Sequence, residues 1–101
     1  MLSKAEFNAL AESPTRNYAM LCVALFNQAG AMSHGLRCAE ADRLDAVSEA
    51  TRRAIERLTR PCRWHNAFAY FVYRLERDMW KERERLRRRR LRSVPLRERY
   101  L

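Results

Sequence analysis

Basic side chains crowd one stretch of the chain, and their number predicts a surface that binds anions. Four arginines stand consecutively at positions 87 to 90, and five more basic residues precede or follow them. A guanidinium group donates two parallel hydrogen bonds to a phosphate or a carboxylate and keeps its charge at neutral pH. We expect the cluster to contact nucleic-acid phosphates or an acidic protein surface. Its members are Arg77, Lys81, Arg83, Arg85, Arg87, Arg88, Arg89, Arg90 and Arg92.

Two large aromatic residues, Tyr73 and Trp80, accompany the basic cluster. They are seven residues apart, which places them on one face of a helix, about 160–180° from the position of Trp64. The pattern leaves two alternatives open. Another helix, such as the first, covers both rings, as is common for large aromatics. Otherwise both are exposed and bind a partner by stacking or by cation–π contact.

Cysteine and histidine residues raise the question of a metal site. His34 and Cys38 form one pair, Cys62 and His65 another, and together they have the composition of a zinc site. All four ligands must lie about 2.0–2.3 Å from one ion. A predicted helix of about 20 residues separates the pairs by about 30 Å. We therefore expect neither a metal nor a cofactor.

Catalytic patterns are absent from the sequence. It contains no glycine-rich phosphate loop and no paired carboxylates in an apolar setting. Nothing in the sequence orients Cys62 and His65 as a nucleophile and its base. The cysteines form no Cys-x-x-Cys motif, and neither a signal peptide nor an apolar run of about 18 residues is evident. We expect a cytoplasmic protein that is not an enzyme and does not contact membranes.

The positive charge is concentrated in the last two fifths of the chain. The 101 residues carry a formal net charge of +9. Residues 1–60 hold eight basic and seven acidic residues, whereas residues 61–101 hold thirteen and five. A basic excess confined to one segment is typical of proteins that bind polyanions.

Composition and periodicity predict an all-α fold. Two glycines and three prolines in 101 residues leave few interruptions to helix. Ser3 and Glu6 form a capping box for a short first helix, and Ser13-Pro14 is typical of a helix start. We predict a small bundle of three long helices plus this short one. The first three helices span about 3–12, 14–33 and 39–60, and the fourth begins between 61 and 66 and ends at about 92. We expect residues 1–92 to form one domain.

The apolar patterns predict which helix faces are buried. The second helix has the broadest apolar face, which Met20 and Val23 extend, and we expect it to be the most buried. Narrower stripes are predicted on the third and fourth helices. They comprise Leu44, Val47, Thr51, Ala54 and Leu58 on the third, and Trp64, Phe68, Phe71, Val72, Leu75, Met79 and Leu86 on the fourth.

Length predicts that the fourth helix overhangs its neighbours. It spans about 43 Å, against about 30–33 Å for the second and third helices. Its last two turns, residues 84–92, should therefore leave the bundle as a basic projection. A short tail, 93–101, follows, and it either docks through Leu96, Tyr100 and Leu101 or is free.

The combined features favour a binding protein. We expect non-sequence-specific binding of the RNA or DNA backbone, as by a small accessory subunit of a nucleoprotein complex, because no helix-turn-helix pattern is evident. The alternative is a small inhibitor or adaptor that docks on an acidic protein surface. Small basic helical subunits of CRISPR effector complexes and small phage-encoded inhibitors are similar in size and class. The oligomeric state stays open.

Overall fold

The computed structural model describes residues 1–60 and 62–93, and most of their backbone is helical. The described residues contain no strand, which confirms the predicted all-α bundle. Leu96, Tyr100 and Leu101, for which the sequence left docking or a free tail open, lie outside the described residues. The helices are α1 (Lys4–Ala11), α2 (Tyr18–Met32), α3 (Glu40–Leu58) and α4 (Ala67–Ser93), and a 3₁₀ turn, Ser33–Gly35, follows α2.

The first helix begins as the sequence predicts and then packs against α4. The Ser3 side chain accepts a hydrogen bond from the Glu6 amide at 3.1 Å, and the Ser3 amide donates to the Glu6 carboxylate at 3.2 Å. Phe7 is buried and meets the rings of Phe68 and Phe71 edge-on, with centroids 5.9 and 5.8 Å apart. The capping box therefore starts α1, and aromatic packing holds it in place.

The predicted start of the second helix at Pro14 is wrong. Residues 12–17 form turns, and α2 begins only at Tyr18. The Asn17 side chain donates to the Leu10 carbonyl at 3.0 Å, which satisfies an acceptor at the end of α1. The reversal of the chain between α1 and α2 thus uses the residues that the local signal assigned to a helix.

The most buried helix is α3, not α2 as predicted. Only Leu21, Leu25 and Ala29 are buried on α2. The third helix contacts both α2 and α4, so a wide part of its circumference is covered. Leu44, which we predicted in its core seam, is 53% exposed. The buried residues of α3 are Asp42, Ala46, Val47, Ala50, Thr51, Ala54 and Leu58, among which the small alanines permit close helix packing.

The long C-terminal helix begins at Ala67, slightly later than predicted, and α1 helps to start it. Asn66 accepts a hydrogen bond from the Ala69 amide at 3.2 Å, as an N-cap residue does. The Asn8 side chain accepts from the Phe68 amide at 2.8 Å and donates to Asn66 at 3.3 Å. Two asparagines therefore satisfy the free amides at this helix start.

The basic end of α4 lies beside the start of α3. The third and fourth helices are antiparallel, because Arg57 bonds Asp78 whereas Arg90 bonds Asp42. The start of α3 therefore reaches the level of Arg90. This corrects the expectation that residues 84–92 project free of the bundle. Length alone predicted the overhang, and it could not reveal that α3 is displaced toward the C-terminal end of α4.

The structure predicts that Leu75 is essential to the core. Leu75 has no exposed surface, and Phe71 and Met79 beside it are also buried. Replacement by alanine should lower the free energy of unfolding by about 2–5 kcal/mol through lost burial and the cavity that remains. Leu91→Ala on the same helix is the control, since Leu91 is 54% exposed. Equal urea midpoints for the two variants would contradict this packing.

Candidate polyanion-binding surface

The nine predicted basic residues divide into two groups in the structure. Arg83, Arg85, Arg87 and Arg90 form ion pairs with acidic residues of the chain. For the other five, the described residues provide no acidic partner within ion-pair distance. These five are Arg77, Lys81, Arg88, Arg89 and Arg92, and all are exposed.

Arg90 reaches back to α3. Its guanidinium donates to a carboxylate oxygen of Asp42 at 2.8 Å. Asp42 is only 8% exposed, although it stands in the first turn of α3. A carboxylate that is removed from water needs a compensating charge or hydrogen bond. Arg90 therefore stabilises the fold as well as contributing to the basic surface.

Arg83 ties α4 to the segment that follows the 3₁₀ turn. Its guanidinium donates to the Arg37 carbonyl at 2.9 and 3.2 Å and to Glu84 at 3.1 Å. Arg87 donates to the other oxygen of Glu84 at 3.2 Å. The Glu84 carboxylate is thus shared between two arginines, which offsets part of the charge at the centre of the basic segment.

Acidic residues of both α4 and α3 stabilise the charged form of Arg85. Arg85 donates to buried Glu82 at 3.1 Å. The pKa of Arg85 is raised, first by this hydrogen bond, then by the charge of Glu82, and to a smaller degree by Glu49 and Asp45 of α3. The sequence pattern did not reveal that Asp45 and Glu49 lie near the basic half of α4.

Glu49 is itself strongly stabilised as a carboxylate. Its oxygen accepts from Arg52 at 2.7 Å and from Arg53 at 3.1 Å. The hydrogen bond from Arg52 is the main reason that the pKa of Glu49 is lowered to about 2, and Arg53 adds to this effect. Glu49 therefore keeps its negative charge at any physiological pH, so that its field on Arg85 is constant.

The five basic residues without acidic partners lie on the outward side of α4. Arg77, which lies about one turn before Trp80, donates to the Tyr73 hydroxyl at 3.3 Å. The others border a shallow concave surface together with Trp80. We call this area the aromatic–basic surface. It comprises Tyr73, Arg77, Trp80, Lys81, Glu84, Arg85, Arg88, Arg89 and Arg92.

Both aromatic rings of this surface are accessible. Tyr73 and Trp80 are each 57% exposed, so no helix of the described chain covers them. The guanidinium carbon of Arg83 lies 6.0 Å from the centroid of the Trp80 ring, at the limit of a cation–π contact. Of the two alternatives that the sequence left open, the structure supports exposed rings.

The cysteine and histidine pairs lie at opposite ends of α3. His34 and Cys38 precede this helix, whereas Cys62 and His65 follow it. Within residues 1–60 and 62–93, no three His, Cys, Asp or Glu side chains are grouped as metal ligands would be. The aromatic–basic surface is thus the site with the clearest chemistry.

Comparisons with known proteins identify no relative. No protein-family model matches the chain, and neither the curated proteins nor the solved structures contain a match. Among the described helices, none combines the length and the apolar character that a membrane span requires.

The division of the arginines predicts a difference in stability between two neighbouring substitutions. Arg90→Ala should lower the free energy of unfolding by about 1 kcal/mol more than Arg89→Ala, because only the former leaves Asp42 without its partner on α4. Both changes remove one positive charge from the same helix turn, so the comparison is matched. Urea unfolding of the two proteins measures the difference. Identical midpoints would show that the Arg90–Asp42 contact contributes nothing.

Proposed function

We propose that the chain binds the backbone of RNA or DNA without sequence specificity and without catalysis, as a small accessory subunit of a nucleoprotein complex in the cytoplasm. The observation that carries the proposal is the exposed Trp80 ring beside Lys81, Arg88, Arg89 and Arg92, for which the described chain provides no acidic partner. Single-stranded nucleic acid is bound by this combination, in which cations track phosphates and an aromatic ring stacks on bases.

The dimensions of the surface suit a short stretch of nucleic acid. From Tyr73 to Arg92 the helix rises about 28 Å. This length accommodates about four or five nucleotides of an extended single strand, which is at the low end of the site sizes known for such surfaces. The two rings lie toward the N-terminal end of the surface, and Arg88, Arg89 and Arg92 lie toward the other end. Bases would therefore stack at one end while phosphates pair along the rest.

The side chains of this surface argue against reading of base sequence. Between Tyr73 and Arg92, α4 contains neither asparagine nor glutamine, the residues that pair with adenine in the major groove. Arginine and lysine can bind guanine, but they also bind any phosphate. Binding should therefore depend on salt concentration far more than on sequence.

The exposed rings also favour a second candidate, an acidic protein surface. Tryptophan, tyrosine and arginine are the residues enriched in energetic centres of protein interfaces. Glu84 in the middle of the surface would repel a continuous row of phosphates, although Arg83 and Arg87 partly neutralise it. Capture of partners from lysate with and without nuclease separates the candidates, because nuclease abolishes association only if nucleic acid carries it.

Removal of four of the five basic residues without acidic partners should abolish most polyanion binding. The test variant carries Lys81→Ala, Arg88→Ala, Arg89→Ala and Arg92→Ala, and it spares Arg90, whose loss would disturb Asp42. Each phosphate contact on duplex DNA contributes about 0.9 to the slope of log K against log salt concentration. Loss of four contacts should make this slope shallower by about 3 to 4. Fluorescence anisotropy with a labelled duplex measures the slope.

A matched variant controls for overall charge. Lys4, Arg16, Arg60 and Arg63 are exposed, lie away from this surface and form no ion pair within the described residues. Their replacement by alanine removes the same four charges, yet it should change the slope by less than about 1. Equal losses in the two variants would mean that net charge, not a defined surface, attracts the polyanion.

Trp80→Ala tests the stacking component separately. Binding to a single-stranded oligonucleotide should weaken by about 1–3 kcal/mol, because a stacked base loses its ring, while the salt slope changes little. Tyr70→Ala, another partly exposed aromatic of α4, is the control. Unchanged single-strand affinity together with loss of a protein partner would support the acidic-protein candidate instead.

A further inference from the structure

The outer face of α2 is apolar and uncovered. Met20, Val23 and Phe26 are 55%, 60% and 54% exposed. At about 100° per residue, these three side chains lie within an arc of about 120°. Small or neutral residues fill the positions between them, and the side chains of Met1 and Leu2 border the same face. We call this the α2 outer face, and it comprises Ala19, Met20, Val23, Phe26, Asn27, Gly30 and Ala31.

This face lacks the charges that cover the rest of the molecule. One third of all residues are charged, yet none lies between Arg16 and Arg37 if His34 is counted as neutral. A solvated helix face in such a chain normally carries lysine, arginine or glutamate. An exposed apolar strip of this length is characteristic of an interaction surface.

Gly30, on the same face, is a glycine within a helix. A glycine in a helix costs about 1 kcal/mol relative to alanine. A Cβ atom at Gly30 would meet nothing within 4 Å, and no described glycine has a positive φ. The fold of the single chain therefore does not require glycine at this position. A glycine on an exposed helix face permits close approach of another backbone.

We propose that the α2 outer face binds the same face of a second copy of this chain, with the two α2 helices antiparallel around a two-fold axis. In a two-fold interface each patch meets its own copy, so a charged patch would face a like charge. The net charge of +9 opposes self-association through any basic surface. The α2 outer face is neutral and avoids this repulsion.

The antiparallel arrangement also follows from where the basic end of α4 lies. The end of α2 and the end of α4 are at the same end of the bundle, because Arg43 bonds Ser33 while Arg90 bonds Asp42. Each copy is 55 Å long. Antiparallel packing places the two basic ends at opposite ends of the dimer, well beyond the screening length of about 8 Å in physiological salt. Parallel packing would bring them together.

The size of the face predicts a weak dimer. From Ala19 to Ala31 the helix rises about 18 Å, and with Met1 and Leu2 the face contributes about 400–500 Å² of accessible surface from each copy. A total of about 800–1,000 Å² is below that of stable dimers. We therefore expect a dissociation constant of about 10–100 μM. The proposal does not depend on nucleic-acid binding.

Sedimentation equilibrium over about 5–500 μM of nuclease-treated protein tests this interface. The wild type and Leu44→Glu should both approach the dimer mass, whereas Val23→Glu should stay monomeric. Leu44 is 53% exposed on α3, so this control introduces the same charge at a similarly exposed apolar position. Wild-type protein that is monomeric throughout, or equal association of the two variants, would overturn the proposal.

Gly30→Leu guards against a variant that merely fails to fold. A Cβ atom at Gly30 meets nothing within 4 Å, and leucine has a higher helix propensity than glycine, so the melting temperature of dilute protein should be unchanged or higher. The same side chain would separate the two α2 helices, and association should weaken at least about tenfold. A Gly30→Leu protein that folds and associates like the wild type contradicts the close contact between the two helices.

Discussion

The buried carboxylate of Asp78 is the constraint that aligns the two main helices. Asp78 is 2% exposed, and its oxygens lie 2.8 Å from Arg57 and 3.8 Å from Arg53 of α3. A buried charge without a partner costs several kcal/mol, so registers of α3 against α4 that separate these groups are strongly disfavoured. In the register that remains, Asp42, Asp45 and Glu49 lie beside the basic half of α4. The same register brings Asp42 to Arg90, whereas Arg85 and Arg87 pair with acidic residues of α4 itself.

This alignment gives the arginine-rich segment two roles. Arg90 and Arg83 hold α4 against α3 and against the segment after the 3₁₀ turn. Arg88, Arg89 and Arg92 carry charge that no described acidic residue balances, and the exposed Trp80 adjoins them. Four consecutive arginines would repel one another and destabilise the helix end if none had an acidic partner. Internal pairing of Arg87 and Arg90 reduces this repulsion and leaves Arg88 and Arg89 between them available to a polyanion.

Local and periodic signals predicted much of this architecture. They predicted the capping box at Ser3, nearly the full extent of α3 and the buried face of α4, because these depend on neighbouring residues or on helical period. These signals failed where contacts between residues distant in sequence determine the structure. Asn17 bonds Leu10 and so delays α2, and α3 occupies the centre that the more apolar α2 was expected to take. Apolar character also led to a wrong expectation for Met20 and Val23, because the periodicity of one sequence does not distinguish a face that packs on its own chain from an exposed one.

The central claim is that the fold itself divides the arginines into an internally paired group and a group that meets a polyanion. Side-chain NMR during titration with a short single-stranded oligonucleotide tests it most directly, because arginine Nε–H and tryptophan indole signals report each group separately. The structure predicts early shifts at Trp80, Arg88, Arg89 and Arg92, with Arg57 unmoved beside Asp78. Shifts of equal size at Arg16, Arg60 and Arg63 would contradict the claim, because they would show that overall charge alone attracts the oligonucleotide.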